Sequence, residues 1–236
     1  MSDAAASTTK ASPSGAEMQT RWTIARGAAI LATRALVRVK VRHLERLPTS
    51  GPYVLAPSHR SALDFLFAGC VTGRPLRFMI KEEVWRYPRV GRFVEWFGAF
   101  PVSRGAPDRT ALRLAQEALA AGDPLVVFPE GTRRDGPAVI DLHEGAAFLA
   151  LRAGVPIVPV GIGGSTRVLV RGERLPHLFR RVEVVVGEPI FVGPSGGSVR
   201  RQRVTELTEQ LRVGLQATFD EAERRVRSRA TARDGG

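Results

Sequence analysis

The chain has 236 residues, 44% of them hydrophobic, and a formal net charge of +12 from 35 Lys and Arg against 23 Asp and Glu. This is enough apolar material for one sizeable domain with terminal extensions. The charge points to an anionic partner, whether nucleic acid, an anionic membrane surface, or a phosphorylated or CoA-type substrate. A single cysteine, Cys70, excludes an internal disulfide, and His43, His59, His143 and His177 are too scattered for metal-ligand spacing, so no metal is expected.

Residues 1–17 are rich in Ala, Ser, Thr and Pro without periodicity and read as a disordered leader. No apolar stretch follows a basic start there, so the leader is not a signal peptide. Residues 18–42 are helix-like, but Arg26, Arg34, Arg38 and Lys40 interrupt the apolar run. A membrane span needs about 20 mostly apolar residues and tolerates central charges poorly. From Met18 to Arg46 the basic residues Arg21, Arg26, Arg34, Arg38, Lys40, Arg42 and Arg46 face only Glu45, and Trp22 stands near one end. The reading is an amphipathic helix lying in an anionic membrane interface, with a surface helix packed on the core as its alternative.

Tyr53–Ala56 reads as a short buried strand and Ser61–Cys70 as an apolar helix, with Ser58 or Ser61 as its N-cap. His59 falls in the turn between them. On a helix, residues five positions apart point about 140° away from each other. His59 must therefore sit off the helix if Asp64 is to reach its ring. In that arrangement Asp64 fixes the imidazole tautomer and leaves the other nitrogen free to take a proton from a hydroxyl. A His with a nearby Asp is also compatible with a simple satisfied polar pair.

Leu76–Ile80 reads as a strand that delivers Lys81 to its C-terminal end, followed by a helix through Val84 and Trp85. Val94–Val102 reads as a third strand, with Arg104 in the next turn. A helix capped by Asp108, striped by Ala111, Leu112, Ala115, Ala118 and Leu119, closes at Gly122. Pro124–Phe128 is a continuous apolar run of the buried parallel type and carries Pro129–Arg133 into a loop. A helix at Gly145–Ala153 and strands at Pro156–Gly161 and Val182–Gly187 follow. Residues 196–230 read as a C-terminal helix with Val204, Leu207, Leu211 and Leu215 at helical spacing, and 231–236 as a disordered tail. The fold class is α/β: a mixed, largely parallel sheet flanked by helices, with a main domain over 43–195.

Polar residues arrive repeatedly just after apolar strands. His59, Lys81, Arg104 and Glu130–Arg133 can therefore converge along the carboxyl edge of one sheet, where ligands of open α/β sheets collect. The planar guanidinium forks of Arg104 and Arg133 suit phosphate. Gly131 is expected to permit a close backbone approach or a positive φ.

Four blocks in order, His59–Asp64, Gly98–Arg104, Phe128–Arg133 and Val155–Val160, resemble the motifs of the glycerolipid acyltransferase family, the enzymes like 1-acylglycerol-3-phosphate O-acyltransferase. The resemblance runs from about His43 to Pro194. It implies that His59 and Asp64 carry the chemistry, while Arg104 and the loop Glu130, Gly131, Thr132 and Arg133 hold a glycerol-phosphate headgroup; Lys81, by its place at a strand's carboxyl end alone, either joins that anion site or stays a solvated lysine. Glu130 would either contact a glycerol hydroxyl or orient Arg133 or Arg104. It also implies acyl-CoA or acyl-carrier protein as co-substrate with no cofactor, and a lysophospholipid acceptor. The basic, apolar helix of 18–42, with no clean span, leads to the expectation of a peripheral place on the cytoplasmic face of the cell membrane. Two positions depart from the pattern. Ser58 stands where Asn is common, and Glu144 precedes Gly145-Ala146 where a basic residue is common. An inward carboxylate at Glu144 would repel phosphate.

Rival readings have less support. A hydrolase would need a nucleophile, but Ser165 lacks the G-x-S-x-G elbow and Cys70 has no base beside it. A nucleic-acid-binding module would need a zinc-finger spacing, an aromatic RNP-like stretch or a recognition helix, and none is evident. An inactive scaffold is opposed by the intact His59 and Asp64.

Overall fold

The computed structural model describes residues 37–103, 108–173, 175–194 and 199–234, together with 20, 23–25, 27, 28 and 31. Seven strands form one sheet: β1 (Val37–Arg42), β2 (Val54–Pro57), β3 (Arg77–Lys81), β4 (Ala99–Val102), β5 (Leu125–Val126), β6 (Ile157–Gly163) and β7 (Arg180–Val186). Their spatial order is β1-β7-β6-β2-β5-β3-β4. Strands β2 to β6 run parallel, and β7 is antiparallel to β6 with β1 parallel to β7. The reversal at β7 follows from the connection before it. Among the described residues between β6 and β7 there is only a 3-10 turn, Ser165–Arg167, and loop, whereas a parallel return needs a crossover, usually a helix.

The crossovers are α1 (Asp64–Gly69), α2 (Pro88–Trp96), α3 (Arg109–Ala120) and α4 (Gly145–Ala153). Because parallel crossovers are right-handed, the direction of travel decides which face a helix covers. Going from β2 to β3 to β4 the chain moves one way, and α1 and α2 pack one face through Phe67, Ala68, Val94 and Phe97. Going back to β5 and on to β6 it reverses, and α3 and α4 pack the other face through Ala111, Ala115, Leu119 and Leu149. Side chains alternate accordingly, Leu55 and Val126 on the first face and Val54 and Leu125 on the second. Strand β5 therefore sits between neighbours whose connections leave to the opposite face. At such a switch in strand order open α/β sheets hold their ligand crevice at the carboxyl ends, here those of β2, β5 and β3.

The second face is completed by α5 (Arg201–Asp234), about 50 Å long, which buries Val204, Leu207, Leu211, Leu215, Phe219, Ala222 and Val226. The stripe expected at Val204 to Leu215 is thus the packed face. Contact with β6 is close enough to demand glycine. A Cβ on Gly161 would lie 2.2 Å from the carbonyl carbon and oxygen of Thr218, and one on Gly163 2.6 Å from the carbonyl carbon of Ala222.

Several expected boundaries are corrected. Residues 37–42, assigned to the amphipathic helix of 18–42, form β1, because Val37, Val39 and Val41 alternate with Arg38, Lys40 and Arg42 at the strand period of two. The domain thus starts before His43. Described residues from Thr20 to Leu31 are helical, with Ala25 in the core and Ile24 and Leu31 exposed. No described helix is long and apolar enough to cross a membrane. The strand expected at Val94–Val102 is only Ala99–Val102, since Pro88 at the first turn starts α2 and Val94 and Phe97 lie on its buried side. The helix expected at Ser61 starts at Asp64, with Leu63 at the N-cap position and neither Ser58 nor Ser61 capping it. The helix expected through Val84 and Trp85 is a 3-10 turn, Glu82–Arg86. Helix α5 runs to Asp234, into the stretch expected as tail. The leader lies outside the described residues.

Gly161→Ala is expected to lower stability by about 2–3 kcal/mol, because only backbone of α5 is available to give way. Gly145→Ala, at a helical position with nothing within 4 Å of the added Cβ, should be neutral or mildly stabilising. Thermal melts of the two variants check the contrast, and equal melting points would contradict it.

Candidate active site

The turn after β2 is pinned from both sides. Ser58 donates its N–H to the Val160 carbonyl at 2.9 Å, and its hydroxyl accepts from the Ile162 N–H at 2.9 Å, which ties it to β6. On the β5 side, the His59 N–H donates to Glu130 Oε1 at 2.8 Å and the Arg134 N–H donates to the His59 carbonyl at 2.9 Å. Within the turn, the N–H groups of Arg60 and Ser61 both donate to Asp64 Oδ2 at 2.6 Å. His59 is therefore off the helix, as the angular argument requires.

His59 Nδ1 lies 3.1 Å from that same Oδ2. An ionised carboxylate only accepts, so this contact assigns the proton to Nδ1 and leaves Nε2 as the free base. Nε2 has no hydrogen-bond partner among the described residues. Asp64 is wholly buried, and the His59 side chain keeps 19% of its surface exposed. Phe128, at the end of the β5 run, packs on the imidazole with ring centroids 4.4 Å apart.

Glu130 is wholly buried and holds the turn in place. Its Oε2 accepts from Arg60 Nη1, while Arg60 Nη2 donates to the Ala138 carbonyl at 3.1 Å and its guanidinium lies 4.6 Å from the centre of the Phe219 ring on α5. Among the described residues the ion-pair partner of Glu130 is Arg60 and not the expected Arg133. A buried ion pair is tolerated when most of its remaining groups are hydrogen-bonded, and here Oε1 serves the His59 backbone and Arg60 Nη2 the Ala138 carbonyl, while Arg60 Nε is buried without a partner among the described residues. Arg60 is the residue sequence reasoning missed. Its only signal was a guanidinium next to the histidine of a turn that must pack under a buried loop.

The rest of the loop divides sharply. Gly131 has φ 65°, and a Cβ there would meet the His143 ring at 2.3 Å and 2.5 Å, so both reasons for glycine hold. Thr132 and Arg133 are exposed, and Arg133 makes no ion pair among the described residues. Lys81 stands at the end of β3 as expected but is paired with Glu83. Arg104 lies outside the described residues. Beyond it, Asp108 accepts from the N–H groups of Ala111 and Ser103, which hold its carboxyl below the ordinary aspartate range. Glu144 accepts from the Thr205 hydroxyl of α5 at 2.9 Å, so its carboxylate is engaged by the C-terminal helix. Cys70 donates to the Leu66 carbonyl within its own helix segment.

Comparison with known proteins identifies the family. Residues 38–163 match the family model described as Acyltransferase. The 1-acyl-sn-glycerol-3-phosphate acyltransferase of Bacillus subtilis (strain 168) is 27% identical over 176 residues, covering 73% of this chain and 84% of that protein. The lyso-ornithine lipid O-acyltransferase of Pseudomonas aeruginosa is 30% identical over 216 residues, covering 84% and 79%. The chain spans only 45% of the chloroplastic Brassica napus relative, BAT2. In structure, the 1-acyl-sn-glycerophosphate acyltransferase PlsC of Thermotoga maritima superposes with a TM-score of 0.66 at 23% identity over 86% of this chain and 78% of that one, a likeness of fold. With the matched span running from β1 through β6 and containing His59, Asp64 and Glu130, this chain belongs to the acyltransferase family of enzymes.

Proposed function

We propose that the protein transfers a fatty acyl group from an acyl thioester to the free hydroxyl of 1-acylglycerol 3-phosphate, giving phosphatidic acid. The observation that carries this reading is the pairing of His59 Nδ1 with buried Asp64, which leaves Nε2 available at the crevice edge. As the acceptor oxygen attacks the thioester carbonyl, its proton passes to Nε2, and Asp64 stabilises the imidazolium. The tetrahedral intermediate collapses with cleavage of the C–S bond. The departing thiolate takes the proton from Nε2, and the products are the diacyl phosphate ester and a free thiol. No covalent acyl-enzyme is needed.

Arg133, exposed and without an ion-pair partner among the described residues, is the phosphate ligand in this scheme, with Arg104 from the β4 loop. Lys81 contributes only if it leaves Glu83. Glu130 acts through the turn and touches no acceptor. The basic surface suits either anionic donor, CoA or acyl-carrier protein, and favours a peripheral position on an anionic membrane. A second reading, acylation of a lyso-ornithine lipid, is motivated by the Pseudomonas aeruginosa relative. Arg133 favours the phosphate-bearing acceptor, because an ornithine headgroup offers its fork only a singly charged carboxylate accompanied by an ammonium that Arg133 would repel.

His59→Ala should lower kcat by about a hundred- to ten-thousandfold with the fold intact, and Asp64→Asn should approach the same loss. Steady-state turnover measures this, and near-normal rates for His59→Ala would end the mechanism. Arg133→Gln should raise KM for 1-acylglycerol 3-phosphate about tenfold or more, as loss of a hydrogen bond to a charged group implies, and leave KM for the thioester unchanged. An equal loss with lyso-ornithine lipid would remove the phosphate assignment. Glu130→Gln should cost about 3–5 kcal/mol of stability, since it strands a buried guanidinium. A denaturant titration of that variant with an unchanged midpoint would contradict the positioning role.

A further inference from the structure

The connection from β6 to β7 carries an apolar patch that the acyl-transfer scheme does not use. Val170, Leu175, Leu178 and Phe179 are 41%, 79%, 47% and 66% exposed within one short stretch. The connection is built rather than frayed. Val168 is fully buried and belongs to the same cluster as Ala25 and Val37, and the His177 N–H donates to the Val168 carbonyl at 2.6 Å. Phe179 holds φ at 60°. A bulky residue in the left-handed region costs backbone energy, and among the described residues little burial offsets it at Phe179.

Location and charge say what the patch meets. Arg171 is ion-paired with Asp135 at 2.7 Å, and the neighbouring Arg134 N–H donates to the His59 carbonyl, so the patch stands on the edge that bears the base. Arg167, Arg171 and Arg180 are exposed around it, while the one described carboxylate of the connection, Glu173, is engaged by His177 at 2.6 Å. The exposed Ile24 and Leu31 belong to the helical stretch whose Ala25 shares the Val168 cluster. Apolar tips ringed by arginines fit the interface of an anionic bilayer, where side chains insert below the headgroups and guanidinium groups meet lipid phosphate.

We propose that the β6–β7 connection is a membrane-docking element, with Leu175, Leu178 and Phe179 inserting into an anionic bilayer beside the His59 crevice. Its purpose rests on the acyl-transfer reading, because a docked connection would let a lysolipid reach His59 without leaving the bilayer. Its binding does not.

The test is co-sedimentation of the full chain with phosphatidylcholine vesicles, with and without phosphatidylglycerol, against the triple variant Leu175→Ser, Leu178→Ser, Phe179→Asn. Asn tolerates the left-handed conformation, so the variant should keep its melting point and its turnover of a short-chain, monomeric lysophosphatidate. Partition onto anionic vesicles should fall about tenfold or more, equivalent to about 1.4 kcal/mol. Equal partition would overturn the proposal. A second probe covers a variant that fails to fold: Phe179→Cys in a Cys70→Ser background, carrying an environment-sensitive fluorophore. Its emission should be solvent-like in buffer and shift to the blue on anionic vesicles. Blue emission in buffer, whether at all concentrations (cover by another segment of the chain) or only at high ones (a second copy), would also overturn it. Docking that survives while no lysolipid is acylated would remove the proposed function and leave this surface standing.

Discussion

Two buried carboxylates hold the backbone of three consecutive residues, and the site depends on that. Glu130 takes the N–H of His59, and Asp64 takes those of Arg60 and Ser61. A turn has few internal hydrogen bonds, so its N–H groups need outside acceptors, and ionised carboxylates are strong ones. Their desolvation is offset locally, by Arg60 on Glu130 and by the backbone donors and the imidazole on Asp64. The same oxygen of Asp64 that fixes the turn fixes the ring. Moving the turn and changing the histidine tautomer are therefore one perturbation.

The fold supplies the two ends of this clamp. Strand β5 lies directly between β2 and β3 and sends its connection to the opposite face from theirs, so the loops after β2 and β5 meet at the crevice. Helix α5 closes the far side, where Phe219 lies against the Arg60 guanidinium and Thr205 draws Glu144 toward the helix. The C-terminal helix thereby braces the Arg60 guanidinium under the site, besides covering the sheet.

Much of this was readable before the fold, and the failures have physical causes. The His59–Asp64 spacing required a turn geometry, and the buried run before Phe128 required the next loop at the same edge. Both arguments rest on periodicity within one segment. The partner of Glu130 was not readable, because Arg60 is its neighbour only across 70 positions and through the switch in sheet order. In residues 37–42 the strand alternation of Val37, Val39 and Val41 is short and continues a longer apolar and basic pattern upstream, which hides it. Pro88 starts the helix before β4, so the apolar residues Val94 and Phe97 belong to that helix and not to the strand. Gly131 was read correctly as a constrained position, but the ring that constrains it, His143, lies in a different loop.

Whether this clamp presents His59 as a base through Nε2 is tested most directly by the nitrogen NMR spectrum of the imidazole in its neutral form, assigned by its loss in His59→Ala. The expected spectrum is that of a ring protonated at Nδ1, with Nε2 carrying the signature of a bare nitrogen. A neutral ring protonated at Nε2 would contradict it, because the nitrogen facing the acceptor would then have a proton to give and none to take.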